Sequence, residues 1–173
     1  MNPHLDQLQQ VLAASLADIS DEELSWHRPE KWCAGEVLEH LYLTYTGNLK
    51  GFERVIQAGK PLATRPTVWH RCRVLVAVDF GYLPEGRKAP AATQPRGLSA
   101  ETVRNGIIPK IAELDEIITD CEQQWGSRMK LLDHPILGPL NAGQWRKFHL
   151  VHGLHHVRQI HRLRQAKNYA QIS

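Results

Sequence analysis

The sequence predicts an all-α protein organised as a four-helix bundle. In the first segment of the chain, Leu5, Leu8, Leu12 and Leu16 recur at the spacing of one helical face, and helical periodicity returns in three more long segments. Proline, glycine and helix-capping residues separate these segments, with shorter helical turns between them. Four long helices with short accessory helices form a bundle most naturally, because each long helix has an apolar face to bury.

Residues that start and stop helices define the first half of the predicted bundle. A helix is expected over Pro3–Ala17, since proline suits a first helical turn. The sequence Ser-Asp-Glu-Glu beginning at Ser20 resembles a capping box and indicates a brief accessory helix. The second long helix is expected over Ala34–Ala58, where Gly59 ends it and Pro61 follows.

The middle of the chain predicts a third helical segment, a long loop and a fourth helix. Trp69–Tyr82 has helical periodicity, although its β-branched residues leave a strand as the alternative. Leu83–Leu98 has little apolar periodicity and predicts an extended surface loop, long enough to be a lid or a rim. Ser99 then caps a helix over Ala100–Gln124, in which Pro109 predicts a kink or a late start.

A shorter loop and the last helix complete the prediction. The loop spans Asp133–Leu140, and the helix spans Asn141–Lys167 with Asn141 as its N-cap. The chain of 173 residues has no internal repeat or low-complexity tract. We therefore expect a single domain over residues 1–173.

Composition and charge argue against several functional classes. The net charge of only +3 gives no reason to expect a nucleic-acid partner, and cations near the end of the last helix are explained by the helix dipole. No stretch approaches the roughly 20 apolar residues of a membrane span. The N-terminal residues lack the basic start and the apolar block of a signal peptide. We expect a cytoplasmic protein with neither a membrane nor a nucleic-acid partner.

Cysteine usage agrees with that expectation. The three cysteines, Cys33, Cys72 and Cys121, are widely spaced and form no Cys-x-x-Cys pair. This pattern argues against a disulfide framework and against a cysteine zinc site. We expect reduced and mostly buried thiols.

The histidines are the strongest functional signal. The chain has ten, and five of them fall in the last predicted helix. On a helical wheel His149, His152 and His156 share the apolar face, whereas His155 and His161 lie off it. His152 and His156 are four residues apart and therefore project together.

Two imidazoles one turn apart can bind one metal ion if a third ligand comes from elsewhere. His40, on the apolar face of the second long helix, is the candidate third ligand. Three neutral imidazoles suit zinc, nickel or iron better than magnesium or calcium. Two alternatives stay open at this point: the histidines are ordinary core residues, or His149 closes the site as a fourth ligand.

Other helical metal motifs are absent. A di-iron bundle needs Glu-x-x-His, but Val37 and Gly153 stand three residues before His40 and His156. The His-Glu-x-x-His motif of zinc proteases is also missing.

Two stretches of the chain resemble a known family. Trp32-Cys-Ala-Gly-Glu-Val-Leu-Glu-His-Leu and His152-Gly-Leu-His-His-Val-Arg-Gln-Ile are similar to the two signature stretches of the DinB-like superfamily. His134-Pro-Ile-Leu-Gly-Pro-Leu with Gln144-Trp145 resembles an uncharacterised branch of it. The resemblance implies a four-helix bundle, commonly dimeric, with a divalent metal ion bound by His40, His152 and His156. Gly153 stands where the family often has aspartate, and Arg158 where it often has glycine.

The resemblance also implies a chemistry. Characterised relatives include thiol-dependent transferases and isomerases, so a low-molecular-weight thiol is the expected small-molecule substrate. A metal with an open coordination position strips the proton from such a thiol, and the thiolate attacks an electrophile. Metal-dependent hydrolysis and non-catalytic binding of a metal or small molecule are the alternatives, and no catalytic residue beyond the ligands is identified.

Overall fold

A computed structural model of the chain describes residues 1–17, 19–84 and 88–172. Its α-helices are α1 (Pro3–Ala17), α2 (Asp21–Ser25), α3 (Ala34–Ala58), α4 (Val68–Val74), α5 (Ala100–Trp125) and α6 (Ala142–Ile172). A π-helical turn, Leu75–Asp79, continues α4, and a 3-10 turn, Ala91–Thr93, lies in the long loop. Two short strands, β1 (Leu132–His134) and β2 (Gly138–Leu140), pair as an antiparallel hairpin before α6.

The four long helices form the predicted bundle, so the all-α fold class is confirmed. Helix α3 packs against α5 and α6, and α1 packs against the same two helices from the other side. Apolar side chains of all four helices fill the interior, with Leu8, Leu41, Ile111 and Trp145 fully buried. No helix in the described part of the chain is long and apolar enough to cross a membrane.

Several predicted helix ends are confirmed by the capping contacts. The Ser20 hydroxyl accepts a hydrogen bond from Glu23 N at 3.1 Å, and the Glu23 carboxylate accepts one from Ser20 N. Gly59 ends α3 in the left-handed conformation, with φ of 62°. Asn141 caps α6, since its side-chain oxygen accepts a hydrogen bond from Gln144 N at 2.9 Å. The Ser20 and Asn141 side chains accept hydrogen bonds from backbone N–H groups that have no partner within the helix.

The structure differs from the prediction in four places, the first being that α6 continues to Ile172, beyond Lys167. The segment expected to be a loop, Asp133–Leu140, forms most of the hairpin, in which Leu132 pairs with Leu140. Helix α4 changes to π geometry at Leu75, and this π-helical turn contacts α6 and ends at Asp79, before Tyr82. Helix α5 begins at Ala100, so a late start near Pro109 is wrong.

A buried cation joins α6 to α5. The Arg146 side chain donates to the Asp115 carboxylate at 2.9 Å and to Glu122 at 2.5 Å, and Thr119 Oγ1 accepts a third bond at 2.7 Å. Asp115 also accepts a hydrogen bond from Asn2 N at 2.6 Å, next to the start of α1. The network therefore connects three of the four long helices.

Histidine is part of the apolar core as well. His149 is completely buried, stacks on Trp145 with ring centroids 5.7 Å apart, and has Asn48 Nδ2 3.4 Å from its Nε2 atom. Burial, and secondarily the neighbouring His134, lowers the pKa of His149 from 6.5 to about 3. The ring therefore stays neutral in the folded protein at every pH where it would titrate in an unfolded chain.

Replacing Arg146 by methionine should destabilise the fold strongly. The change leaves Asp115 buried without its cation, and the loss of one partner of a buried pair costs about 3–5 kcal/mol. Lys147→Met is the matched control, because Lys147 pairs with Asp79 at the surface and should contribute less than about 1 kcal/mol. Urea denaturation measures the free energy of unfolding of both variants. An equal decrease in the two would contradict the stabilising role of the buried Arg146–Asp115 pair.

The free energy of unfolding should fall as the pH is lowered from about 6.5 to 4. Unfolded His149 takes up a proton near pH 6.5, whereas the folded protein resists it until about pH 3, so acid favours unfolding. Each such proton contributes about 1.4 kcal/mol per pH unit. Urea denaturation in EDTA buffer measures this pH dependence. The slope of the free energy of unfolding against pH should fall by up to the contribution of one proton in His149→Gln, and it should stay unchanged in His161→Gln, which replaces an exposed histidine. If the free energy of unfolding depended on pH in the same way in all three proteins, the lowered pKa of His149 would be refuted.

A candidate metal site between two helices

Three imidazole rings meet between α3 and α6. His40 comes from α3, while His152 and His156 come from successive turns of α6. The Nε2 atom of His152 lies 3.4 Å from that of His40 and 3.1 Å from that of His156. One ligand atom from each ring lies within 4.8 Å of the others. The structure therefore brings together the three histidines that the sequence analysis selected.

The orientation of His40 is set by the long loop. Its Nδ1 atom lies 2.8 Å from the carbonyl oxygen of Thr93, which requires Nδ1 to carry the proton. The Nε2 lone pair consequently faces the other two rings. The adjacent residue, Glu39, is buried and accepts hydrogen bonds from Arg96 N at 2.6 Å and Gly97 N at 3.1 Å. Neighbouring residues of α3 thus hold both the ring and the loop that orients it.

The other two rings are fixed within α6. His156 Nδ1 lies 3.0 Å from the side-chain oxygen of Gln159, so this ring also turns its Nε2 lone pair towards the cluster. Phe148 stacks on His152 with ring centroids 5.3 Å apart and planes 16° from parallel. His152 Nδ1 is buried and has no hydrogen-bond partner among the described residues.

The electrostatics keep all three rings neutral. Burial lowers the pKa of His40, against the opposing effect of the Thr93 contact. Burial, together with the neighbouring imidazoles, holds the pKa of His152 well below its usual range and lowers that of His156 to about 3. Neutral imidazole is the form that ligates metals, so the protonation state at neutral pH suits ligation.

The donor set fits a divalent metal ion. His40 and His156 both present Nε2 lone pairs, and a single Nε2 proton on His152 can satisfy only one of them. A cation between the rings would accept all three lone pairs at once. An Nδ1–H directed at a carbonyl or amide oxygen is the usual support for a histidine ligand. The residues that would hold the metal are therefore His40, His152 and His156.

The remaining sequence candidates lie elsewhere. His149 does not join the cluster and contacts Asn48 instead, and His161 is exposed. His27, Cys33 and Glu36 form a second group with donor atoms within 4.8 Å of one another. Two of these donors already cap α3, because Cys33 Sγ accepts from Glu36 N at 3.4 Å and the Glu36 carboxylate accepts from Cys33 N at 2.8 Å.

Three features of the site were not predicted. Thr93 acts through its main-chain carbonyl, which any residue type would provide. Glu39 gave no signal because it stands inside a helix, where charged residues are ordinarily exposed. Phe148 precedes His152 by one turn, and its position on the apolar face was the available signal.

One comparison with known proteins identifies a family for the chain. A family model described as DinB superfamily matches residues 4–160. No curated protein and no solved structure is significantly similar to the chain. The match covers most of the sequence, including α3, α5, nearly all of α1, the first part of α6 and the three clustered histidines. The chain therefore belongs to the DinB superfamily.

Proposed function

We propose that His40, His152 and His156 bind one divalent metal ion, which is zinc, nickel or iron. The convergence of their three Nε2 atoms, two of them on rings whose Nδ1 atoms already have acceptors, carries this proposal. Imidazole nitrogen suits these metals, and no carboxylate joins the cluster within the described residues. Membership of the DinB superfamily supports it as well.

We further propose that the protein is a thiol-dependent transferase. Three protein ligands without a fourth are the pattern of a catalytic site, whereas a structural site is closed by a fourth donor. His149, the candidate fourth ligand, contacts Asn48 rather than the cluster. When bound, the metal would lower the pKa of a coordinated low-molecular-weight thiol, so that thiolate is available at neutral pH.

The protein's own residues would perform the positioning. Thr93 and Gln159 hold two of the rings at their Nδ1 atoms, so their Nε2 atoms need no reorganisation when the site is filled. Phe148 on His152 and Trp32, with its ring 5.4 Å from that of His40, cover the rings with apolar surface.

Metal content should depend on the clustered histidines alone. Purified untagged protein should contain about one equivalent of metal, and His152→Ala should lose it, because two imidazoles bind far more weakly than three. His161→Ala, an exposed histidine of the same helix, is the matched control and should retain the metal. Elemental analysis measures all three proteins. Equal content in both variants, or no uptake by the wild type on titration, would overturn the site.

A small thiol should bind at the metal of the loaded protein. Cobalt-substituted protein titrated with cysteine should develop a new sulfur-to-cobalt absorption band, whereas serine, which differs only in its hydroxyl, should not. No spectral change with cysteine would end the transferase proposal while leaving the metal site intact. In that case, metal-dependent ester cleavage without added thiol would identify the protein as a hydrolase.

A further inference from the structure

A groove separate from the histidine cluster opens between α4, its π-helical turn and the hairpin. It encloses about 430 Å³, and its walls include Pro66, Arg71, Leu75, Lys130, Pro139 and Gln144. Gln144 precedes His152 by about two helical turns of α6, so the groove lies well away from the three ligands. None of the three proposed metal ligands lines it.

The charges of this groove are unbalanced. Arg71 and the half-buried Lys130 both line it, and Lys130 Nζ donates to the neutral side chain of Gln144 at 2.5 Å. Asp79 is the acidic residue of the lining, and it pairs with Lys147 at 3.4 Å. Across the described ranges, no ion pair involves Arg71 or Lys130. Two cations therefore face one cavity without a counter-charge of their own.

Arg71 and Lys130 line the same groove, and the positive charge of Arg71 acts on Lys130. The pKa of Lys130 is lowered by burial first and by the charge of Arg71 second. Half-burying a lysine beside an arginine is unfavourable unless an anion compensates the charges. Apolar side chains such as Leu75 complete the wall, so the surroundings would strengthen contacts to a bound anion.

We propose that this groove binds the anionic group of a small molecule, a carboxylate or a phosphate, between Arg71 and Lys130. Arginine and lysine are the side chains that recognise such groups through charge-assisted hydrogen bonds. The apolar wall would contact the uncharged body of the same molecule. This binding is a second property of the protein, independent of the metal chemistry.

Cys72 provides a probe inside the groove. It lines the cavity and is exposed, whereas Cys33 and Cys121 are buried. Alkylation of Cys72 is to be compared for iodoacetate and iodoacetamide, with the modified peptide measured by mass spectrometry. The two reagents share a leaving group and differ in the carboxylate. Because both react with the same thiolate, any change in the reactivity of Cys72 itself cancels in the ratio of the two rates.

The ratio of the iodoacetate rate to the iodoacetamide rate at Cys72 should fall when Arg71 or Lys130 loses its charge. Arg71→Gln and Lys130→Gln should each lower the iodoacetate-to-iodoacetamide ratio by roughly tenfold, as expected for the loss of one charge-assisted contact. Arg54→Gln removes the same charge from an exposed position on α3 and should leave the ratio unchanged. Arg71 is exposed, so its variant tests the proposal even if Lys130→Gln fails to fold. An unchanged ratio in Arg71→Gln would overturn the proposal.

Competition identifies the anion. Sodium phosphate or sodium acetate, each at the ionic strength of a sodium chloride reference, should slow the iodoacetate reaction of the wild type. Suppression by phosphate alone would assign the groove to phosphate groups, and equal suppression by acetate would assign it to carboxylates. Suppression by neither, or equal suppression in Arg71→Gln, would reduce the two cations to solvated surface charges.

Discussion

The site depends on the close approach of three helices at Gly153. This residue lies in α6 between the two histidines of the pair, His152 and His156. A Cβ atom there would overlap Leu8 Cδ1 of α1 and lie 3.3 Å from the Tyr45 hydroxyl of α3. The absence of a side chain therefore lets α1 and α3 pack directly against this turn of α6. His40 lies five residues before Tyr45 on the same helix, so this contact of α3 with α6 is close to the histidine cluster.

This close packing is accompanied by unusual burial of polar atoms. The Tyr45 hydroxyl and the Nδ1 atoms of His149 and His152 are buried, and none of them has a hydrogen-bond partner among the described residues. Each such atom costs free energy, since it has lost water without gaining a partner. The buried network of Arg146 with Asp115 lies in the same bundle and is fully paired. A fourth such atom, Arg104 Nε, lies on α5, so three of the four unpaired atoms of the described residues belong to α3 and α6, the two helices that carry the histidine cluster.

The parts that the sequence predicted are those that depend on local residue patterns. Helical periodicity with Ser20, Gly59 and Asn141 located most helix ends, because capping is decided within a few residues of the chain. The pairing of His152 with His156 follows from helix geometry alone. The position of His40 on the apolar face of its helix made it the candidate third ligand, and the family resemblance implied the same residue.

The parts that were not predicted depend on the backbone or on distant segments. The hairpin at β1 and β2 spans only three residues in each strand, so no alternation of apolar and polar residues was long enough to indicate it. The carbonyl of Thr93 is a chemical group that every residue carries. Its role follows from the path of the long loop, which Glu39 fixes by contacts to Arg96 and Gly97, more than fifty residues away along the chain.

The neutrality of the cluster bears directly on the proposed chemistry. Three uncharged imidazoles would leave the double charge of a bound ion uncompensated in a largely apolar setting. An anionic fourth ligand from solution would compensate it, and a thiolate is both anionic and a soft donor that zinc, nickel and iron accept. An additional carboxylate from the protein would have satisfied the same need and weakened the attraction for a substrate. A metal held by His40, His152 and His156 would therefore favour an anionic ligand over a neutral one, and the thiolate of the proposed function is such a ligand.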